Sequence, residues 1–296
     1  MLTLGIDSKE FVASHYDKKP YFSSGGFTPT TAFSTETIES LLETWDSSAG
    51  TVAMYKDGRL PESYYSERYQ DLNDIRIRLL PDRVRIYLEE GASLVLNRLE
   101  RRSTYFAEIC RELSEFANEK IVANGYLAFG GSGTFGRHWD THDVFIVQLQ
   151  GKKHWKIYEP SYELPLPKQR STNYKSYCPC DPVIDRVLEE GDVLYLPRGW
   201  WHEAIPIPKQ ASFHIAAGIH TTKVVDYFEW LCLQILPQYV VFRRGLKVGA
   251  HDLNASIVRE AAKAIADRLA DPCCLTEYME GIGSMRNRHL SSFIPY

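Results

Sequence analysis

The chain has 296 residues, 44% of them hydrophobic, with 18 tyrosines, which suits a large packed core and excludes an intrinsically disordered chain. A formal net charge of −4 argues against direct nucleic-acid binding, which favours basic chains, while leaving a basic peptide as a fitting ligand. The start Met1-Leu2-Thr3-Leu4-Gly5 lacks a signal-peptide pattern, and Asp226, Glu229 and Pro237 interrupt the apolar stretch 224–241, so no membrane role and a cytoplasmic location are expected.

In chain order, Ser8 is a plausible N-cap for a short helix over 9–16. Residues 51–55 read as a strand and Lys56-Asp57-Gly58 as a turn. A helix over 81–90 stops at Gly91, and a strand follows at 93–96. A firmer helix, capped by Ser103, runs over 104–118 and puts Tyr105, Ile109, Leu113 and Phe116 on one face. From Ile121 the texture changes to short strands between Gly, Pro and polar turns, at 121–129, 142–150, 153–158, 192–196 and 211–219. The run Val144-Phe145-Ile146-Val147 is apolar on both faces, so its strand is expected to be covered on both sides.

This order predicts a mainly β fold with flanking helices, its core a sandwich or barrel of the jelly-roll kind over about 92–220. Beyond Thr222 the helical pattern returns, at 224–236 and in the alanine-rich 255–270. The chain thus divides into a first domain, 1–221, and a C-terminal helical region, 222–296. The latter serves either as a homodimerisation element or as a cap on the main core. The six cysteines contain no C-x-x-C pair, and Cys178-Pro179-Cys180 and Cys273-Cys274 are too close for easy bridges, which favours reduced thiols over a disulfide or zinc framework.

The chemistry concentrates in His138-Trp139-Asp140 and His202. Residues two apart on a strand share a face, so His138 and Asp140 can converge on one ion, with His202 arriving from a strand beyond the Pro197-Arg198-Gly199 turn. Two imidazoles and a carboxylate leave a divalent metal with open positions, the facial arrangement of non-haem Fe(II) oxygenases. Zinc takes the same ligands, so these residues alone leave the metal open.

A second group lies nearby. Lys153 shares a strand face with Trp155 and Ile157, where an ammonium either pairs with an anion or snorkels to solvent. Asn124 and Tyr126 share another face and can donate hydrogen bonds to a carboxylate, although structural roles also fit them.

The run from His138 through Val144-Phe145-Ile146-Val147-Gln148-Leu149-Gln150-Gly151-Lys152-Lys153-His154-Trp155 to Tyr158 resembles the centre of JmjC-type, cupin-like 2-oxoglutarate oxygenases, closest to the ribosomal-oxygenase branch and its bacterial relatives. Further matches are Tyr16-Asp17-Lys18-Lys19-Pro20, Lys56-Asp57-Gly58, 94–99, 191–202 and Ser212-Phe213-His214, so the likeness extends over most of 10–220. It implies a double-stranded β-helix core. It also implies Fe(II) on His138, Asp140 and His202, and Lys153 paired with the distal carboxylate of 2-oxoglutarate. Asn124 and Tyr126 would line the cosubstrate pocket, with His214 close to the metal or buried structurally.

The implied reaction uses O2 to hydroxylate a protein or peptide side chain, with release of succinate and CO2. N-methyl demethylation and small-molecule hydroxylation share the same residues. A non-catalytic cupin binding module would be favoured by loss of one ligand or of the basic residue, yet His138, Asp140, His202 and Lys153 are all present, and a zinc-dependent cupin isomerase or hydrolase would leave Lys153 without a purpose. Two departures matter: Ala216-Ala217-Gly218 stands where relatives often carry a small hydroxyl, and 222–296 leaves little room for the winged-helix domain of ribosomal oxygenases. His142 shares the parity of the nearby ligands and is a candidate for the cleft entrance. Trp139, Trp200 and Trp201 are candidates for shielding the pocket or for simple packing.

Overall fold

The structure is a computed structural model that describes residues 1–29, 33–45, 50–131 and 133–287, with side chains through 284. Ser132 of the glycine-rich segment before His138 and residues 288–296 of the helical region lie outside the described residues. The chain forms two compact units, Met1–His220 and Thr221–Tyr296.

The first unit begins with α1 (Ser8–Ser14), β1 (Tyr21–Ser23), α2 (Thr35–Glu43) and β2 (Val52–Tyr55). The N-cap of α1 is Asp7 rather than Ser8: its carboxylate accepts from the Glu10 N–H at 2.8 Å, and a charged acceptor there complements the helix dipole. Next come β3 (Ser66–Asp71), β4 (Asp74–Leu79), α3 (Pro81–Glu89), β5 (Ser93–Leu96) and α4 (Thr104–Ala117). The strands β6 (Lys120–Ala128), β7 (Val144–Gln150), β8 (Lys153–Tyr158), β9 (Ile184–Leu188), β10 (Val193–Leu196), β11 (Trp201–Pro206) and β12 (Ser212–His220) complete it. Strand β7 starts at Val144 because the two preceding predicted residues do other work, Asp143 accepting a hydrogen bond from the Arg198 N–H at 3.1 Å.

A seven-stranded sheet in the order β1-β10-β7-β12-β6-β5-β2 and a three-stranded sheet β11-β8-β9, all with antiparallel pairings, form the jelly roll; β3 and β4 make a separate hairpin. The period-2 alternation of strands divides the apolar residues between two cores. On the outer face of the large sheet, Phe145, Val147, Phe213 and Ile215 pack with Phe11 of α1 and Phe106, Ile109 and Leu113 of α4. Between the sheets, Val144, Ile146, Leu194 and Leu196 meet Trp155, Ile157 and Leu188. Strand β7 is apolar on both faces for this reason, and each such side chain contributes about 1.5–3 kcal/mol.

The α4 stripe is rotated from its predicted centre: Phe106, Ile109, Cys110, Leu113 and Ala117 are buried, while Tyr105 and Phe116 only flank the core. Along β8, Lys153, Trp155 and Ile157 are buried and His154 and Lys156 only partly so.

In the second unit, α5 (Val224–Trp230) passes into a π turn at Leu231–Ile235 and a 3-10 turn at Leu236–Gln238 instead of one continuous helix, because Pro237 has no N–H for the ladder. Then follow α6 (Val240–Arg243), α7 (His251–Ala270) and α8 (Pro272–Asn287). Tyr278 of α8 meets the rings of Tyr227 and Trp230 of α5 at centroid distances of 5.2 and 5.4 Å. Among the described residues no helix is long and apolar enough to cross a membrane.

Candidate metal centre

His138 and His202 face each other across an isolated antiparallel bridge, each N–H donating to the other's carbonyl at 3.0 and 2.7 Å. Asp140 is not on a strand. Its carbonyl accepts from the Gly199 N–H at 3.0 Å, so the turn before β11 holds the carboxylate's segment. The expected strand through 138 and 140 is therefore replaced by a bridge and a turn, since Gly131, Gly133 and Gly136 just upstream all have positive φ and cannot sustain a ladder. Gly199 itself has φ +87°, and a Cβ there would lie 2.6 Å from the Tyr162 carbonyl oxygen, so the turn requires glycine.

The result is a compact donor set. Ligand atoms of His138, Asp140 and His202 lie within 4.8 Å of one another, and His202 Nε2 is 3.8 Å from Asp140 Oδ2. Nδ1 of His138 lies 3.0 Å from the Gly136 carbonyl, and Nδ1 of His202 lies 3.0 Å from the Trp200 carbonyl. A carbonyl only accepts, so each Nδ1 donates and each Nε2 is left as the lone-pair atom a metal needs. Burial, reinforced by repulsion from His138, holds His202 below the usual imidazole range. Burial works to raise Asp140, but His202, His138 and His142 together outweigh it and keep the carboxylate below its usual range. A neutral His202 imidazole and an ionised Asp140 carboxylate are the protonation states that metal binding requires of them.

On the other side of the bridge, Arg137 Nε contacts Glu203 Oε1 at 3.2 Å, Tyr158 donates to the same oxygen at 2.5 Å, and the guanidinium stands 4.5 Å over the Tyr158 ring. This clip joins the two segments that carry the histidines. Further inward, Asp143 accepts from the Tyr195 hydroxyl and the Arg198 N–H, while the Arg198 guanidinium reaches Asp17 at 3.3 Å. Neither group was singled out from sequence, although a charge directly before a buried strand, Asp143, and one inside the Pro-Arg-Gly turn were visible signals.

Lys153 projects into the space between the sheets, where it is 3% exposed and meets no carboxylate among the described residues. Burial pushes its ammonium down to about 7. Its Nζ lies 3.4 Å from Nδ1 of His214, which is equally buried and stacks on Tyr126 at 5.0 Å. Burial, with the Asp140 charge adding to it, raises the Tyr126 phenol well above its usual range, and a hydrogen bond with Asn124 offsets a little of this. Asn124 Oδ1 also accepts from the Arg98 N–H at 3.2 Å. Thus Lys153, His214, Tyr126 and Asn124 line one interior, together with Ala216, which is paired across strands with Asn124 and Ile146.

His142 is exposed, and its ring lies across Gly218, where a Cβ would come within 2.8 Å of His142 Cδ2. Trp139 and Trp201 do not shield the interior. They turn into a separate cluster with Tyr158, Tyr162 and Tyr174, and the Trp201 indole donates to Ser161 Oγ at 2.9 Å. Trp200 packs, partly buried, against the inter-sheet core.

A jelly roll with this donor set defines the class. Residues 96–227 match the family model described as JmjC domain. Among curated proteins it is 37% identical over 175 residues to the bifunctional lysine-specific demethylase and histidyl-hydroxylase NO66 of Drosophila simulans, covering 57% of this chain and 21% of that one. It is 32% identical over 246 residues to ribosomal oxygenase 1 of Gallus gallus, covering 80% of this chain and 40% of that one. The chain therefore spans between a fifth and two fifths of these relatives' length. The structure of the Escherichia coli ribosomal oxygenase YcfD with cobalt and 2-oxoglutarate shares the fold, with a TM-score of 0.59 over 94% of this chain and 71% of that one at 17% identity.

Proposed function

We propose that this chain is an Fe(II)- and 2-oxoglutarate-dependent oxygenase that hydroxylates a protein or peptide side chain. The observation that carries the reading is Lys153, a buried ammonium without an anionic partner among the described residues, in the same interior as three converging metal ligands. A dry cation favours a bound anion strongly, and a dicarboxylic acid can satisfy it while its other end meets the metal. A zinc hydrolase or a non-catalytic cupin would give Lys153 no such partner.

The residues fit the group. His138, Asp140 and His202 would hold Fe(II) through Nε2, a carboxylate oxygen and Nε2, leaving open positions for cosubstrate and O2. Bound Fe(II) with 2-oxoglutarate supplies O2 activation, in which the cosubstrate leaves as succinate and CO2 and one oxygen atom enters a substrate C–H bond. Lys153 orients the distal carboxylate, with Tyr126, Asn124 and His214 around it. The buried walls of Trp155, Ile157 and Ile146 exclude water from the oxidant.

A protein substrate is supported by the names of the relatives, which also support N-methyl demethylation as a second reading, since they join histidyl hydroxylation and lysine demethylation. We read 1–221 as the catalytic domain and 222–296 as a homodimerisation element. Support for the latter is that α7 buries no side chain and exposes Leu253, Val258 and Leu269.

The test is incubation with Fe(II), 2-oxoglutarate and a peptide extract, followed by succinate measurement and mass spectrometry. Gain of one oxygen atom on a peptide supports hydroxylation, and loss of a methyl group supports demethylation. No succinate under any condition would remove the oxygenase reading.

A further inference from the structure

Trp155 packs its ring beside both His202 and His214. On the inner face of β8 it follows Lys153 by one pleat, and its ring centroid lies 6.1 Å from that of His202 and 5.3 Å from that of His214, edge-on to the latter at 83°. It is 4% exposed, yet its Nε1–H meets no acceptor. Buried donors in folded proteins are almost always met by protein, water or ligand. Among the described residues lining this interior, the other buried orphan is Gln148 Oε1, an acceptor, so Trp155 holds the one orphan donor there. The neighbouring face of β12 presents Ala216, which has no hydroxyl to offer.

We propose that the Trp155 indole N–H is a cosubstrate-positioning donor, hydrogen-bonding a carboxylate oxygen of 2-oxoglutarate. The proposal rests on the oxygenase reading above. It makes Trp155 a binding group rather than only a wall of the inter-sheet core.

Trp155→Phe keeps an aromatic ring against His202 and His214 and removes the N–H. In Zn(II)-loaded protein, calorimetry is expected to show 2-oxoglutarate binding weakened by about tenfold or more, the size of a hydrogen bond to a charged group, with Zn(II) affinity unchanged. In wild-type protein with 15N-labelled indoles, the Nε1–H resonance absent from Trp155→Phe is expected to move downfield as 2-oxoglutarate saturates. Equal affinities in wild type and Trp155→Phe, or an unmoved resonance at saturation, overturn the proposal. Should Trp155→Phe fail to fold, the wild-type spectrum decides, because none of the six indole resonances moving downfield has the same force. A wild-type protein that binds no 2-oxoglutarate overturns the oxygenase reading itself, a result distinguishable from either of these.

Discussion

Nζ of Lys153 lies 3.4 Å from Nδ1 of His214 in the interior between the sheets, and each residue is 3% exposed. Burial first, and the Lys153 charge second, hold His214 well below the usual imidazole range, so the pair carries at most one positive charge, on Lys153. Two basic groups in a dry space bind an anion more readily than they tolerate its absence.

Replacement of Lys153 by Met therefore has two opposite expected effects. 2-Oxoglutarate binding is lost in calorimetry while Mn(II) binding persists. The apoprotein gains stability, with Tm rising by roughly 2–4 °C for each kcal/mol of relieved burial. A lower Tm together with unchanged 2-oxoglutarate affinity would show that the ammonium has another partner.

The pH dependence follows from the same group. Lys153 titrates at about 7 in the fold against 10.5 as the ordinary value, so between these the unfolded chain holds a proton that the folded one has released. Its burial penalty is fully present below pH 7, and apoprotein stability contributed by this group rises as pH climbs toward the unfolded value. A carboxylate ligand requires the ammonium, so above pH about 7 its binding takes up a proton and its affinity falls by as much as about tenfold per pH unit. Calorimetry in buffers of different ionisation enthalpy measures that uptake; affinity that stays flat to pH about 9 contradicts it.

Asp140→Asn removes the ionised oxygen while keeping the side chain's size. Co(II) affinity, followed by visible absorption, is expected to fall by more than the roughly 10–100-fold typical of changes outside the ligand set. A smaller loss would mean that Asp140 supports the site without binding the metal.

Asp143→Ala strips the acceptor from the Tyr195 hydroxyl and the Arg198 N–H, both in the buried region behind the turn that holds Asp140. Urea unfolding is expected to show about 2–4 kcal/mol of lost stability, with metal affinity also reduced because the Gly199–Asp140 contact loosens. A well-folded variant with normal metal binding would separate this network from the ligands.

His142 and Gly218 test whether the exposed His142 ring contributes to the entrance of the site. Gly218→Ala puts a methyl group 2.8 Å from His142 Cδ2, and the exposed ring can swing away at little cost to stability. Both Gly218→Ala and His142→Ala are expected to lower turnover of the true substrate while Co(II) spectra stay unchanged. Normal turnover in His142→Ala would assign the ring a packing role.

Much of the fold was legible where apolar residues keep a strict period. Strands β5, β6, β7, β8, β10 and β12 fall close to the predicted segments because each buries a face against the α4 side or the inter-sheet core. Strand β9 was missed because Asp185 and Arg186 give an exposed edge no alternation to read. The β3–β4 hairpin was missed because its charged positions, Glu67, Arg68, Arg76 and Arg78, leave little apolar signal. Helix α2 carried an overlooked signal in Ser34 and Thr37, which cap each other's backbone.

From sequence alone, residue chemistry pointed to His138, Asp140 and His202 and to the buried position of Lys153, while the family resemblance implied the roles of Lys153, Asn124, Tyr126 and His214. Chain order contains no distances between segments, so only the tertiary structure decided how they meet. It brought His138 to His202 by a backbone bridge rather than a strand, turned Trp139 and Trp201 away, and left the Trp155 indole facing the interior without an acceptor. Those outcomes depend on sheet register and on glycine turns at positive φ, where contacts between residues far apart in the chain outweigh local preference.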